Sequence, residues 1–175
     1  MDFLKVEEVL NYLDIKDDMQ VSEFGCGSAV FTIALAKKVS KGKVYALDIQ
    51  EEKLSALKGK LAIEKINNVQ TILCDLEALR GSTLPENSLD IVLIPNILFQ
   101  AENKYAIIEE GNRILKSGGQ ILIIDWLAGS PFSPQTGLIS PDEVKEMAFK
   151  MSLSLKREFI AGDFHYALLF TKSYI

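Results

Sequence analysis

The sequence predicts an α/β fold, a mostly parallel sheet with helices on both faces, and three observations carry that prediction. The runs VYALDI, TILCD, IVLI and ILIID are nearly continuous apolar stretches rich in β-branched residues, as strands buried on both faces should be. They alternate with stretches of helical periodicity, the spacing of parallel β-α-β units. The tail breaks this rhythm with two strand-like runs joined only by Ala161-Gly162-Asp163, a link so short that it makes an antiparallel hairpin. Together these give seven strands, one of them reversed near an edge.

Each element has its own justification. Phe3, Val6, Val9, Leu10 and Leu13 recur at helical spacing, which predicts an amphipathic helix over residues 1–13, closed by a turn at 16–18. Strands are expected at 20–24, 43–48, 70–74, 89–94 and 120–125, with helices at 29–39, 51–66 and 104–115. A loop over 127–140 leads into a last helix, 141–151, with Ser140 as its cap and Pro141 at its first position. The hairpin strands are expected at 155–160 and 164–171. No internal repeat or low-complexity segment is visible.

Composition limits the function. The 175 residues, 48% of them hydrophobic, suffice for one domain with a substantial core and are few for two, so residues 1–175 read as a single domain. A net charge of −5, with no basic run longer than Lys37-Lys38, disfavours nucleic acid as a partner. The first 14 residues intersperse acidic and polar residues among apolar ones and lack the apolar core of a signal peptide or membrane span, so a cytoplasmic protein is expected. Cys26 and Cys74 form no CxxC pair, and His165 is the single histidine, so no metal site is expected.

The chemistry concentrates in VSEFGCGSAV, residues 21–30, where Gly25 and Gly27 end the first buried strand and lead into a helix. Glycine permits positive φ and lets a ligand approach the backbone, and the helix amides point at it. Such a turn lies at the switch point of an open α/β sheet. Asp48 ends the second strand about twenty residues on, where a carboxylate can accept hydrogen bonds from both hydroxyls of a ribose. Asp75 ends the third, placed to meet an amino group on a purine edge. With Glu23 these acids would repel a pyrophosphate but suit a ribose, an adenine and a cationic amino acid. S-adenosylmethionine has those parts.

On these residues the chain resembles the class I S-adenosylmethionine-dependent methyltransferases, whose acid-x-Gly-x-Gly-x-Gly motif stands here as Glu23-Phe-Gly25-Cys-Gly27-Ser-Ala29. The resemblance runs from residue 20 to 171. It implies a Rossmann-like seven-stranded sheet in the order 3-2-1-4-5-7-6, strand 7 antiparallel, with residues 20–126 as the cofactor-binding core and 127–175 carrying the loop, last helix and hairpin. It also implies that Asp48 binds the ribose, that Ile49 packs on the adenine, that Asp75 and Leu76 contact the adenine amino group and ring, and that Pro95 lies beside the methionine portion. Asp90 matches the acid opening the fourth strand, and LKSGGQILIIDW the turn into the fifth, with Ser117 where the family has proline. Cys26, between the glycines, joins the implied cofactor contacts. Ala29, in the third glycine's place, is tolerable if it sits in the first helical turn with negative φ. Within the superfamily the chain is most similar to the small ubiquinone and menaquinone biosynthesis group.

The activity so implied is methyl transfer by in-line displacement to a small-molecule acceptor, with S-adenosylhomocysteine as product and a homodimer as a possible assembly. Catalytic residues are not assigned by the motifs. Asn96 and Phe99, after the fourth strand, Trp126, at the end of the fifth, and His165, in the last, are the substrate-side candidates; Asn96 has an alternative role as a helix cap. Two other readings stand beside this one. A catalytically silent methyltransferase-like subunit would share every motif. An NAD-dependent oxidoreductase would share the glycine turn and distant acid, but Val30 occupies the position where its motif wants a small residue.

Overall fold

The computed structural model describes residues 4–174. In chain order the elements are α1 (Val6–Leu10), β1 (Gln20–Phe24), α2 (Val30–Lys38), β2 (Lys43–Asp48), α3 (Glu51–Ile63), β3 (Val69–Leu73) and β4 (Leu89–Pro95). A 3-10 turn (Leu98–Gln100) follows, then α4 (Lys104–Ile114), β5 (Leu115–Trp126), α5 (Pro141–Lys150), β6 (Leu153–Ala161) and β7 (His165–Lys172). They form one sheet ordered β3-β2-β1-β4-β5-β7-β6, with β7 antiparallel to both neighbours, as expected. Because β1 pairs in parallel with both β2 and β4, the winding reverses there and a crevice opens beyond the carboxyl ends.

Strand alternation divides the core into two layers. Val92 and Ile94 join α4 and α5 side chains such as Ile108 and Val144, while Ile91 and Leu93 join Leu10 of α1 and Leu35 of α2. Residues 91–94 are all at most 1% exposed, which explains the unbroken apolar run: each faces a packed layer. Burial of each such side chain contributes about 1.5–3 kcal/mol.

Several boundaries differ from expectation. The first helix spans only Val6–Leu10, and residues 1–3 of its expected span lie outside the described residues. Lys5 at its N-cap makes no side-chain capping bond, yet Val9, Leu10 and Leu13 are buried, so the periodicity gave the burial correctly and the length wrongly. Helix α3 stops at Ile63 instead of 66 because Lys65 turns left-handed (φ 56°) and the Ile66 amide bonds back to the Leu61 carbonyl. Strand β5 begins at Leu115, five residues early; the Ser117-Gly118-Gly119 segment is a kink within it, with Gly118 at φ 76° and the register jumping between Leu89 and Ile91. The hairpin turn is 162–164 instead of 161–163, since Ala161 pairs with His165. Ser140 caps α5 in a full capping box with Glu143, Pro141 following.

Candidate functional site: a cleft at the sheet switch point

Beyond β1 the chain turns sharply. Gly25 adopts φ 75°, and its amide and that of Cys26 both donate to the Leu47 carbonyl, at 2.8 and 3.1 Å. A Cβ on Gly25 would lie 2.3 Å from Ile97 Cγ2, so this glycine is demanded by conformation and by packing. At Gly27 (φ 28°) a Cβ would meet nothing nearer than the Gly25 carbonyl at 3.8 Å, so the space beside it is open to a ligand. Ala29 corrects an expectation: it precedes the helix as its N-cap, at φ 71°, in the left-handed region and not the first helical turn. The third position of the motif therefore wants glycine for its conformation, and Ala29 adopts it at a cost of about 1–2 kcal/mol.

The three acids stand in different environments. Asp48 accepts hydrogen bonds from the Gly27 amide (3.3 Å) on one oxygen and the Gln50 amide (2.9 Å) on the other, which ties the end of β2 to the glycine turn. Glu23 is 3% exposed and accepts a hydrogen bond from the Thr32 hydroxyl. Burial pushes its carboxyl up to about 8; the Thr32 bonds oppose this and the nearby Asp48 charge adds to it. Asp75 accepts the Glu77 amide at 2.9 Å, and Gly81 closes so tightly on the Asp75 carbonyl that a Cβ there would lie 1.8 Å away. That close approach holds the segment after β3 against the cleft.

These residues surround a cleft of about 660 Å³, within the range that holds small-molecule cofactors. Glu23, Gly25, Gly27, Asp48, Ile49, Asp75, Leu76 and Pro95 line it. Cys26 and Ala29 do not: both are 1% exposed and pack in a small core with Leu54, Leu57 and Leu61. Val30 is 51% exposed and faces the cleft, so it takes no part in helix-to-strand packing. Cys74, Ile97, Gln100 and Lys53 also line it and were not expected. Cys74 adjoins Asp75 and Lys53 opens the helix after Asp48, so sequence adjacency could have found them. Ile97 meets Gly25 across the switch point, and no local signal reports such a contact. Burial pushes both Cys26 and Cys74 up to about 12, so neither thiol is a ready nucleophile.

The substrate-side candidates separate. Asn96 lines the cleft at φ 53°, and its buried Oδ1 has no hydrogen-bond partner. It caps no helix; Asn103 caps α4 by accepting the Ala106 amide. Phe99 and Trp126 meet edge to face at 6.4 Å, Trp126 lies tilted against His165 at 4.3 Å, and neither Phe99 nor Trp126 lines the cleft. His165 is 1% exposed and lies outside the cleft lining. The loop after β5 packs back on the fold: Phe132 meets Phe164 edge to face, and the Ile139 carbonyl accepts the Tyr166 hydroxyl. Among the described residues no group of three or more His, Cys, Asp or Glu could hold a metal ion, and no helix is long and apolar enough to cross a membrane.

This arrangement fits S-adenosylmethionine: two carboxylates and the buried carboxyl of Glu23 line one cleft, one glycine leaves room for a ligand, and an orphan acceptor, Asn96 Oδ1, adjoins it. Known proteins agree. The methyltransferase domain family matches residues 15–166. The ubiquinone/menaquinone biosynthesis C-methyltransferase UbiE of Hydrogenovibrio crunogenus is 35% identical over 108 residues, 61% of this chain and 41% of that protein. A demethylmenaquinone methyltransferase of Bacillus cereus is 30% identical over 124 residues, 68% and 49%. The chain thus spans about half the length of the curated relatives it matches. A solved S-adenosylmethionine-dependent methyltransferase from Aquifex aeolicus shares the fold at TM-score 0.85 and 24% identity, over 95% of this chain and 89% of that one. The sequence match across most of the chain, the strand order and the acid-lined glycine turn agree: the chain belongs to the methyltransferase domain family, in the class I group that takes S-adenosylmethionine as cofactor.

Proposed function

We propose that this domain, residues 1–175, transfers a methyl group to a small-molecule acceptor with an apolar body, held at the end of the cleft formed by β4 and the 3-10 turn. The single observation that carries the reading is the convergence of Glu23, Asp48 and Asp75 with Gly25 and Gly27 on one cleft. In it Asp48 takes the ribose hydroxyls, Ile49 and Leu76 flank the adenine, Asp75 meets its amino group, and Glu23 faces the cationic methionine portion. S-adenosylmethionine supplies, when bound, a methyl group already activated by its sulfonium. The chain's own task is then to orient and to exclude water. Val30 and Phe31 at the start of α2 and Ile97 before the 3-10 turn give the cleft an apolar lining, and Asn96 offers its carboxamide to a polar group of the acceptor. The relatives' names point to quinone precursors as the acceptors to try first.

An oxidoreductase is disfavoured, because the acids Glu23, Asp48 and Asp75 that line the cleft make it a poor place for a pyrophosphate. Calorimetry tests the cofactor reading: S-adenosylhomocysteine is expected to bind. Asp48→Asn, which removes a charged acceptor worth about 1.5–3 kcal/mol, is expected to weaken that binding about 10- to 150-fold. No binding by the wild-type protein at millimolar ligand would sink the reading. Turnover against quinone precursors, phenols and thiols, followed by S-adenosylhomocysteine release, tests the transfer itself and the silent-subunit alternative.

A further inference from the structure

Asp125 ends β5, is fully buried, and lies outside the cleft lining. Buried charge needs a reason, and here the reason is a set of backbone amides. One carboxylate oxygen accepts the Phe99 amide at 3.2 Å and the other the Trp126 amide at 2.8 Å; the Leu98 amide also bonds to the carboxylate. Leu98 and Phe99 form the 3-10 turn, and the residues around it, Asn96, Ile97, Gln100 and Ala101, line the cleft. Ile97 from this stretch presses on Gly25. On the other side Gly137 of the loop packs so closely that a Cβ would lie 2.0 Å from the Phe99 carbonyl. The turn is therefore held between a carboxylate and a glycine, and it carries one wall of the cleft.

We infer that Asp125 is a positioning residue: its ionised carboxylate holds the 3-10 turn so that Ile97 and Asn96 complete the cofactor cleft, and its protonation loosens that wall. The inference rests on the cofactor reading above. Both oxygens accept from amides, so a proton on either one removes the charge that strengthens these bonds and leaves a hydroxyl oxygen, a poorer acceptor, which weakens that end of the tie. Burial pushes the Asp125 carboxyl up to about 6, against the pull of the Trp126, Phe99 and Leu98 amides and of Lys104. The other titratable groups around it are Tyr166, its register partner on β7, Glu143 beyond Tyr166, and His165 behind Trp126. Burial and the Asp125 and Glu143 charges push Tyr166 up, so it stays neutral.

The test measures S-adenosylhomocysteine affinity by calorimetry from pH 5 to 7.5. Wild-type affinity is expected to fall about tenfold as pH drops through about 6. Asp125→Asn is expected to bind about tenfold more weakly at pH 7.5 and to lose the fall below about pH 6.5, keeping only the rise that Glu23 brings above it, with a circular dichroism spectrum like the wild type's. Gly137→Ala pushes the same turn from the opposite side; it should weaken binding several-fold and keep the pH dependence, and it decides the matter if Asp125→Asn does not fold. Trp126, the single tryptophan, sits against Phe99 and reports the turn without any ligand. In a His165→Gln background, which removes the neighbouring imidazole, its fluorescence should titrate near pH 6, and not when Asp125→Asn is added. Absence of wild-type binding with the fluorescence titration intact defeats the cofactor reading alone. Wild-type affinity in both variants, or a fluorescence titration that survives Asp125→Asn, overturns the inference.

Discussion

The cleft has two walls built by different means. The ends of β1, β2 and β3 present backbone and carboxylates: Gly25 and Gly27 at positive φ, then Glu23, Asp48 and Asp75 at or beside strand ends. The end of β4 and the 3-10 turn after it present side chains, and Asp125 of β5 and Gly137 of the loop hold that turn without lining the cleft themselves. The first wall is specified by conformation, which tolerates few residue types; the second by packing, which tolerates many. Substitutions in the first wall should therefore act on cofactor binding directly, and those of second-wall side chains on acceptor choice, with the cofactor affected only where they shift the turn that Asp125 and Gly137 hold.

The largest effect is expected where the walls touch. Gly25→Ala places a methyl 2.3 Å from Ile97 Cγ2 and forces an L-residue into φ 75°. Strain of about 1–2 kcal/mol and overpacking of about 1–3 kcal/mol add, which lowers the thermal midpoint by roughly 5–15 °C for a domain of this size. Loss of S-adenosylhomocysteine binding by at least about 100-fold should accompany it, in a thermal-shift and calorimetry pair. Native-like affinity in Gly25→Ala would show that Ile97 yields freely and that the two walls are not in rigid contact.

Next in size is the pH dependence of the first wall. Folded Glu23 holds its proton up to about pH 8, while the unfolded residue releases it near 4.5. Between these values the folded state binds more protons, so the stability this group contributes is fully present below 4.5 and is lost as pH rises towards 8. From pH 6.5 to 8, above the range of Asp125, urea denaturation should find the wild type losing about 2 kcal/mol relative to Glu23→Gln. Over the same window S-adenosylhomocysteine should bind more tightly to the wild type only, if Glu23 takes the proposed place beside its ammonium group.

A smaller effect belongs to the second wall. Trp126 lies behind the turn, outside the cleft lining, and supports Phe99 edge to face; Trp126→Phe shrinks that support and the tilted contact with His165. It is expected to raise the acceptor KM several-fold and to leave S-adenosylhomocysteine affinity within twofold, measured in steady state and by calorimetry. Equal changes in both would erase the division between the walls.

The same division explains what was legible in the sequence. Buried parallel strands read as apolar runs, and Asp48 and Asp75 could be counted from the glycines, so Glu23, Gly25, Gly27 and these two acids follow from the chain's own pattern, whereas the sheet order and Ile49, Leu76 and Pro95 of the cleft lining came through the resemblance to the methyltransferases. The 3-10 turn did not, since its ties to Asp125 and Gly137 join positions 26 and 38 residues apart and leave no local period. Cys26 shows the limit within the legible half: it sits between two cleft glycines, yet its side chain points into the layer with Leu57.

Ala29 gives the smallest expected effect and the finest test of the first wall. Glycine there would relieve about 1–2 kcal/mol of left-handed strain. Against that, it loosens the unfolded chain by about 0.4–1 kcal/mol and removes a buried methyl worth about 0.8 kcal/mol, from a site 1% exposed among Leu54, Leu57 and Leu61. The contributions nearly cancel, so Ala29→Gly should move the thermal midpoint by no more than about 3 °C. Cofactor affinity should stay within twofold, because the methyl faces the core and the cleft lining does not include it. A tenfold gain in affinity would mean that strain at Ala29 reaches Gly27 through the turn closed by the Ala29 amide on the Cys26 carbonyl, and that the conformational wall is softer than its φ values imply.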